Sequence, residues 1–195
     1  ATGKTVLLTE LARLFEGDPA GPLHRKGDPV PIPKDAAAAE APWLPSPAAS
    51  NRAVFRTVFH QNSKYRDFVS GLMPSLQAVG EFEVSEGVLL RANDHASNQD
   101  GAALLIIDEM NRGPAVQLFG GAIVAVESDK RGDATGLPSA NSVPFEALRS
   151  DGVKEVTLSS DLYIVGVMNQ ADTSVEALDV AFLRRWETMR LNPSE

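Results

Sequence analysis

The sequence has no cysteine. Disulfides and thiolate metal sites are therefore excluded, and the composition suits a reducing, cytoplasmic setting. Three scattered histidines leave no basis for a His-built zinc centre. No stretch approaches the ~18 consecutive apolar residues that a membrane-spanning helix needs, so no membrane association is expected. Basic residues are in the minority, 18 against 26 acidic, and the net charge of −8 disfavours phosphate-tracking contact with nucleic acid by this stretch. An initiator Met and a signal peptide are also missing. What remains is ordinary globular composition over 195 residues, 43% apolar and 23% charged.

The chain opens on Ala1-Thr2-Gly3-Lys4-Thr5, followed by VLLTELARLF. Gly-Lys-Thr before an apolar-periodic run matches the last three positions of the phosphate-binding loop G-x-x-x-x-G-K-[ST]. The spacing predicts a helix over residues 6–16, with Val6, Leu7, Leu8, Leu11, Leu14 and Phe15 mostly on one face, stopped by Gly17. Residues 17–50 hold eight of the 13 prolines and the run Ala36–Ala39, and read as a long loop or insert. Beyond it, strands are expected at 53–60, 104–108, 153–158, 162–168 and 186–191. Two short strands around Glu86-Gly87 would make a hairpin over 81–91. Helices are expected over 65–71, 114–127 and 174–183, and 128–152 reads as turns. In the helix over 114–127, Val116, Leu118, Phe119, Ile123 and Val126 would point inward. Strands alternating with helices imply an α/β fold with a parallel sheet.

Four places carry chemistry. At Gly3-Lys4-Thr5, a helix N-terminus with unpaired N–H groups favours phosphate. Lys4 would reach the β- and γ-phosphates, and Thr5 would ligate Mg²⁺. The tripeptide alone is more often a plain helix start. The apolar strand ALLII ends in Asp108-Glu109, carboxylates at the crevice end of a parallel strand. Asp108 would hold Mg²⁺ and Glu109 would orient or deprotonate water, which makes capping carboxylates the weaker explanation beside Lys4 and Thr5. The buried strand LYIVGVM ends at Asn169, whose amide could meet a γ-phosphate or simply start a turn. Arg184-Arg185 after the helix over 174–183 could neutralise charge on a neighbour's phosphoryl group, or be a solvated helix end.

The order GKT, FHQNSKYRDFVSGLMP, IIDEMNR, ESDKRG, VGVMNQADTSVEALDVAFLRRW resembles the McrB-type AAA+ family, the motor subunits of modification-dependent restriction systems. MNQADTS at 168–174 is the most specific piece, similar to the family's Met-Asn-Thr-Ala-Asp-Arg-Ser signature. The likeness covers residues 1–16 and 54–191. The chain departs from the family at Gln170, Thr173, Leu183 and Trp186, which leaves GTP or ATP open as the substrate. The resemblance implies a three-layer P-loop AAA+ core with Thr2, Gly3, Lys4, Thr5 and Asp108 around nucleotide and Mg²⁺. It implies Glu109 and Asn169 at the γ-phosphate. Arg184 and Arg185 would act between subunits, with Arg112 a further inter-subunit candidate.

The same resemblance implies a ring, usually a hexamer, a McrC-type nuclease partner, and DNA read by a separate domain. The rivals are a MoxR-like remodelling ATPase, a degenerate nucleotide binder and a small-molecule P-loop kinase. The whole stretch 1–195 would be one partial α/β subdomain, cut inside the phosphate loop and before the helical lid. Its sheet would then lack the strand that feeds the loop. The isolated 195 residues are accordingly expected not to fold stably. A cooperative unfolding transition from this stretch alone, followed by circular dichroism, would contradict that expectation.

Overall fold

The computed structural model describes residues 3–16, 49–76, 78–169 and 178–190. Its centre is a parallel sheet of β1 (Asn51–Val58), β4 (Gly101–Asp108) and β7 (Leu162–Gly166), in the order β1-β4-β7. The middle strand, GAALLIID, is buried from Gly101 to Ile107, so its apolar run is continuous rather than alternating. Its even positions, Ala102, Leu104 and Ile106, belong to one apolar cluster, and its odd positions, Ala103, Leu105 and Ile107, to another.

Helix α1 (Lys4–Phe15) covers the even face with Leu8, Ala12 and Phe15, joined by Ala49, Val54 and Val165. The Phe15 ring meets Tyr163 edge-on with centroids 5.7 Å apart. The sequence put all six apolar residues of this helix mostly on one side, but Val6, Leu7 and Leu14 stand about half exposed, at 54%, 47% and 48%. Three other buried positions at a helical period suffice to cover the strands.

The odd face is covered by α3 (Val88–Ser97), α4 (Ala115–Phe119), α5 (Ala122–Ala125) and α6 (Val180–Leu183). An aromatic network lies at the centre of this layer. Phe119 packs on Phe68, Phe182 and Trp186 with centroids 4.7, 5.5 and 5.9 Å apart, all edge-on.

Several predicted elements differ from those observed. The run after Gly87 is helical, not the second arm of a hairpin: Leu89, Leu90, Ala92 and Ala96 are buried in α3 against the sheet. A short apolar run does not distinguish strand from helix until packing decides. β3 (Phe82–Glu86) pairs instead with β2 (Ser70–Pro74), so the predicted helix over 65–71 shrinks to α2 (Tyr65–Phe68). The helix over 114–127 breaks at Gly120, where φ is 49°, and Val116 is 42% exposed. The strand at 153–158 is β6 (Gly152–Val156), paired with β5 (Phe145–Arg149) from the stretch read as turns, and both lie outside the central sheet. Trp186–Arg190 carries no strand, and Met189 there is 85% exposed. The Pro-rich residues 17–48 and the first half of the predicted helix at 174–183 lie outside the described residues.

The two hairpins are tied to α3 by one cation. Arg149 donates from both terminal nitrogens to Asp94, each at 2.6 Å, and lies 3.1 Å from Glu86. The carboxylate of Asp94 holds the Arg149 pKa above its ordinary value. Among the described residues no helix is long and apolar enough to cross a membrane. Phe119→Ala should cost about 3–5 kcal/mol of stability, because it opens a cavity between four elements. Val116→Ala, one turn away and half exposed, should cost less than about 1 kcal/mol. Urea unfolding of the full-length protein carrying each change measures both.

Candidate active site

Three parallel strands end on the same side of the sheet, and β4 ends in Asp108. The Asp108 Oδ1 accepts the backbone N–H of Glu109 at 2.9 Å, which fixes the carboxylate at the strand's last residue. Glu109 follows with φ 51° and ψ 41°, a left-handed conformation costing a non-glycine residue about 1–2 kcal/mol. That turn throws Met110–Arg112 into a single 3-10 turn across the end of β7. Met110 donates its N–H to the Val167 carbonyl at 2.8 Å, and Val167 donates back to Ile107 at 2.8 Å. Asn111, 8% exposed, donates its side-chain N–H to the Asn169 carbonyl at 3.2 Å. The loops after β4 and β7 are thereby knitted together.

α1 delivers the remaining part. Gly3 takes φ 68° ahead of the helix, and among the described residues no side chain caps the first turn, which also carries no acidic residue. The first amides are thus left for an anion, with the positive end of the helix dipole behind them. Lys4 donates from Nζ to the Met168 carbonyl at 3.2 Å, one residue from Asn169. Lys4, Asp108-Glu109, Asn111 and the Met168-Asn169 backbone therefore share one crest. Thr5 stands exposed on the first turn, and Thr2 lies outside the described residues.

The three arginines occupy different settings. Arg112 lies 3.1 Å from the carboxylate of Glu109, within its own turn. Arg184 is exposed. Arg185 is engaged elsewhere: its Nε lies 3.0 Å from Glu127 and its Nη1 donates to the Ala181 carbonyl. Beside it, Arg131 donates to the carbonyls of Val126 and Leu162. Burial pulls its pKa down to about 10, so it stays charged at neutral pH. Asn111, Glu127 and Arg131 are the members of these networks that the sequence alone did not single out as site residues. The DEMNR motif contains Asn111, but nothing in the motif indicates that its amide crosses to β7.

The donors expected for Mg²⁺ from the sequence are one carboxylate, Asp108 at the end of β4, and one hydroxyl, Thr5 on the first turn of α1. Mg²⁺ usually takes one or two protein carboxylates and fills its remaining positions with phosphate oxygens and water, and this set fits that habit. Among the described residues no cluster of three or more His, Asp or Glu could hold a metal by itself.

The chain is 32% identical over 136 residues to the Type IV methyl-directed restriction enzyme EcoKMcrB subunit of Escherichia coli strain K12, covering 69% of this chain. The chain is McrB-like. It is also 29% identical over 131 residues to the Type II restriction enzyme BsuMI component YdiS of Bacillus subtilis strain 168, covering 64% of this chain. The matched stretches span only 28% and 36% of those two relatives. No protein-family model matches. A crystal structure from Cytophaga hutchinsonii, provisionally assigned as an ATPase, aligns over 71% of this chain and 34% of its own. At 14% identity and a TM-score of 0.40 that likeness is too distant to carry an argument. The McrB resemblance in the sequence is thus shared with a curated relative, and the α/β fold with a parallel sheet is the one expected.

The strain at Glu109 is measurable. Asn tolerates the left-handed region far better than Glu. Glu109→Asn should therefore raise the unfolding free energy by about 0.5–1 kcal/mol while removing the carboxylate. An unchanged or lowered urea midpoint would show that the turn stores no such strain.

Proposed function

We propose that this McrB-like chain is the nucleoside-triphosphate-hydrolysing α/β part of a ring-forming AAA+ motor that drives a restriction nuclease. The observation that carries the proposal is the crest itself. A lysine from the first turn of α1 reaches the loop after β7, beside Asn169, while β4 ends in paired carboxylates in the same row. Phosphoryl transfer needs little covalent help from the protein, but it needs positioned cations, a metal and an oriented water.

The uncapped amides of α1 and the Lys4 ammonium would bind the β- and γ-phosphates. Thr5 and Asp108 would hold Mg²⁺, which when bound would supply positive charge to offset the charge on the phosphoryl groups. Glu109 would orient the attacking water and take up its proton. Asn169 would hydrogen-bond the γ-phosphate, its backbone held in place by Asn111. An arginine supplied by a neighbouring subunit would complete the site, so turnover would depend on assembly into a ring of about six, the usual AAA+ number. β7 has no strand partner on its outer edge among the described residues. We assign that edge to the strand that feeds the phosphate loop in this family.

The two relatives are named as restriction components, which supports membership of a restriction system. A nuclease subunit of the McrC type as partner, and DNA reading by a separate domain, are what the McrB resemblance would add. The departures at Gln170 and Thr173 leave the base open. Phosphate release from GTP and from ATP by the full-length protein decides both points. Glu109→Gln should lower kcat about 10²–10⁴-fold while nucleotide binding persists. Lys4→Ala should abolish binding. GTP-only turnover supports the restriction motor, whereas ATP-only turnover without nuclease dependence favours a MoxR-like remodelling ATPase. Full activity in Glu109→Gln would remove the proposed mechanism.

A further inference from the structure

Arg184 and Arg185 are neighbours in sequence, but their surroundings differ. The segment that carries them is short. α6 spans Val180–Leu183, capped by Asp179, whose Oδ1 accepts the Ala181 N–H at 2.7 Å. A four-residue helix does not hold itself in place. Its position comes from two aromatic anchors, Phe182 and Trp186. Phe182 is 1% exposed, and both rings pack on Phe119. Between these anchors, Arg184 is exposed; its backbone N–H donates to the Val180 carbonyl at 3.0 Å, and its side chain makes no hydrogen bond or ion pair to a described residue. Arg185 turns back into the layer: its side chain is 14% exposed and its Nε lies 3.0 Å from the Glu127 carboxylate.

Glu127 is itself held from behind. Its carbonyl accepts the Lys130 N–H at 3.0 Å, closing the 3-10 turn Ser128–Lys130. Arg131 at the end of that turn donates twice to the Val126 carbonyl, at 3.2 and 2.9 Å, and again to Leu162 at the start of β7. A continuous path therefore runs from β7 through Arg131 and Glu127 to Arg185. A cation that must reach across a subunit boundary loses side-chain and backbone freedom on arrival, and a pre-fixed base lowers that cost.

We propose that the two arginines divide the work. Arg184 is the one that reaches a neighbour's phosphoryl group, and Glu127, through Arg185, is a positioning residue that aims it. This rests on the function proposed above and goes beyond it by separating the two arginines and adding Glu127.

The test uses mixed assemblies of the full-length protein. Arg184→Ala subunits keep their own catalytic carboxylate but cannot donate a finger. Glu109→Gln subunits can donate but cannot turn over. Mixing them should restore hydrolysis at the Arg184→Ala sites. Placing Glu127→Gln on the donor should cut that restored kcat at least tenfold, with KM for nucleotide unchanged, and Arg185→Ala on the donor should do the same. Combining the two should cost no more than either alone. Placing Glu127→Gln on the acceptor should leave the restored rate within twofold. The charge-swapped donor, Glu127→Arg with Arg185→Glu, should recover most of the loss, which separates aiming from a simple failure to fold.

Equal losses on donor and acceptor would reduce Glu127 to a structural role and overturn the proposal, as would no loss on either. If the wild type turns over nucleotide but the mixture recovers nothing, the assignment of Arg184 fails while the NTPase reading stands. A wild type without turnover overturns that reading, and this inference with it.

Discussion

The whole arrangement depends on one strand being buried on both faces. β4 is hydrogen-bonded to β1 on one side and β7 on the other, and apolar from Gly101 to Ile107. Such a strand has no freedom to slip, since a one-residue shift would exchange the residues packed on α1 for those packed on α3. Its last residue is therefore a fixed point. Asp108 sits there, and the left-handed turn at Glu109 starts from it. The hydrogen bonds from Met110 to Val167 and from Asn111 to Asn169 then place the neighbouring loop relative to that point. The crest is precise because the strand beneath it is immobile.

What was legible in the sequence follows from the same logic. A strand buried on both faces is a continuous apolar run, and ALLII announced itself. Asp108 and Asn169 could be named because each is the first polar group after such a run, and Glu109 because it stands directly behind Asp108. Lys4 could be named from Gly-Lys-Thr ahead of a helix. What stayed hidden depends on pairing between distant segments. β5, FEALR, mixes polar and apolar residues and becomes a strand only because β6 lies opposite it. α3 looked like a strand because VLLRA satisfies either period until it meets the sheet. The Arg185–Glu127 and Asn111–Asn169 contacts join residues far apart in the chain, and no local rule indicates them.

Charge is used sparingly in this molecule. The acidic excess is mostly spread over the surface, while the few interior cations are each given a task. Arg149 ties two hairpins to α3, and Arg131 holds a turn onto the start of β7. Arg131 is the more unusual, since among the described residues its guanidinium donates to the carbonyls of Val126 and Leu162 rather than to a carboxylate. Such a site suits a guanidinium with its spread charge and several donors, and would suit an ammonium poorly.

The bond from Lys4 to the Met168 carbonyl joins residues 164 positions apart. Contacts of such high sequence separation form late, because the loop between them must close first. The crest is therefore complete only when nearly the whole described chain has folded, and a partly folded intermediate has no competent site. On the proposed function, bound nucleotide would act as a thermodynamic brace for the finished state, adding about 2.7 kcal/mol at a concentration 100 times its Kd. On that proposal, substrate abundance in the cell would set how much of the protein stays folded as well as how fast it turns over.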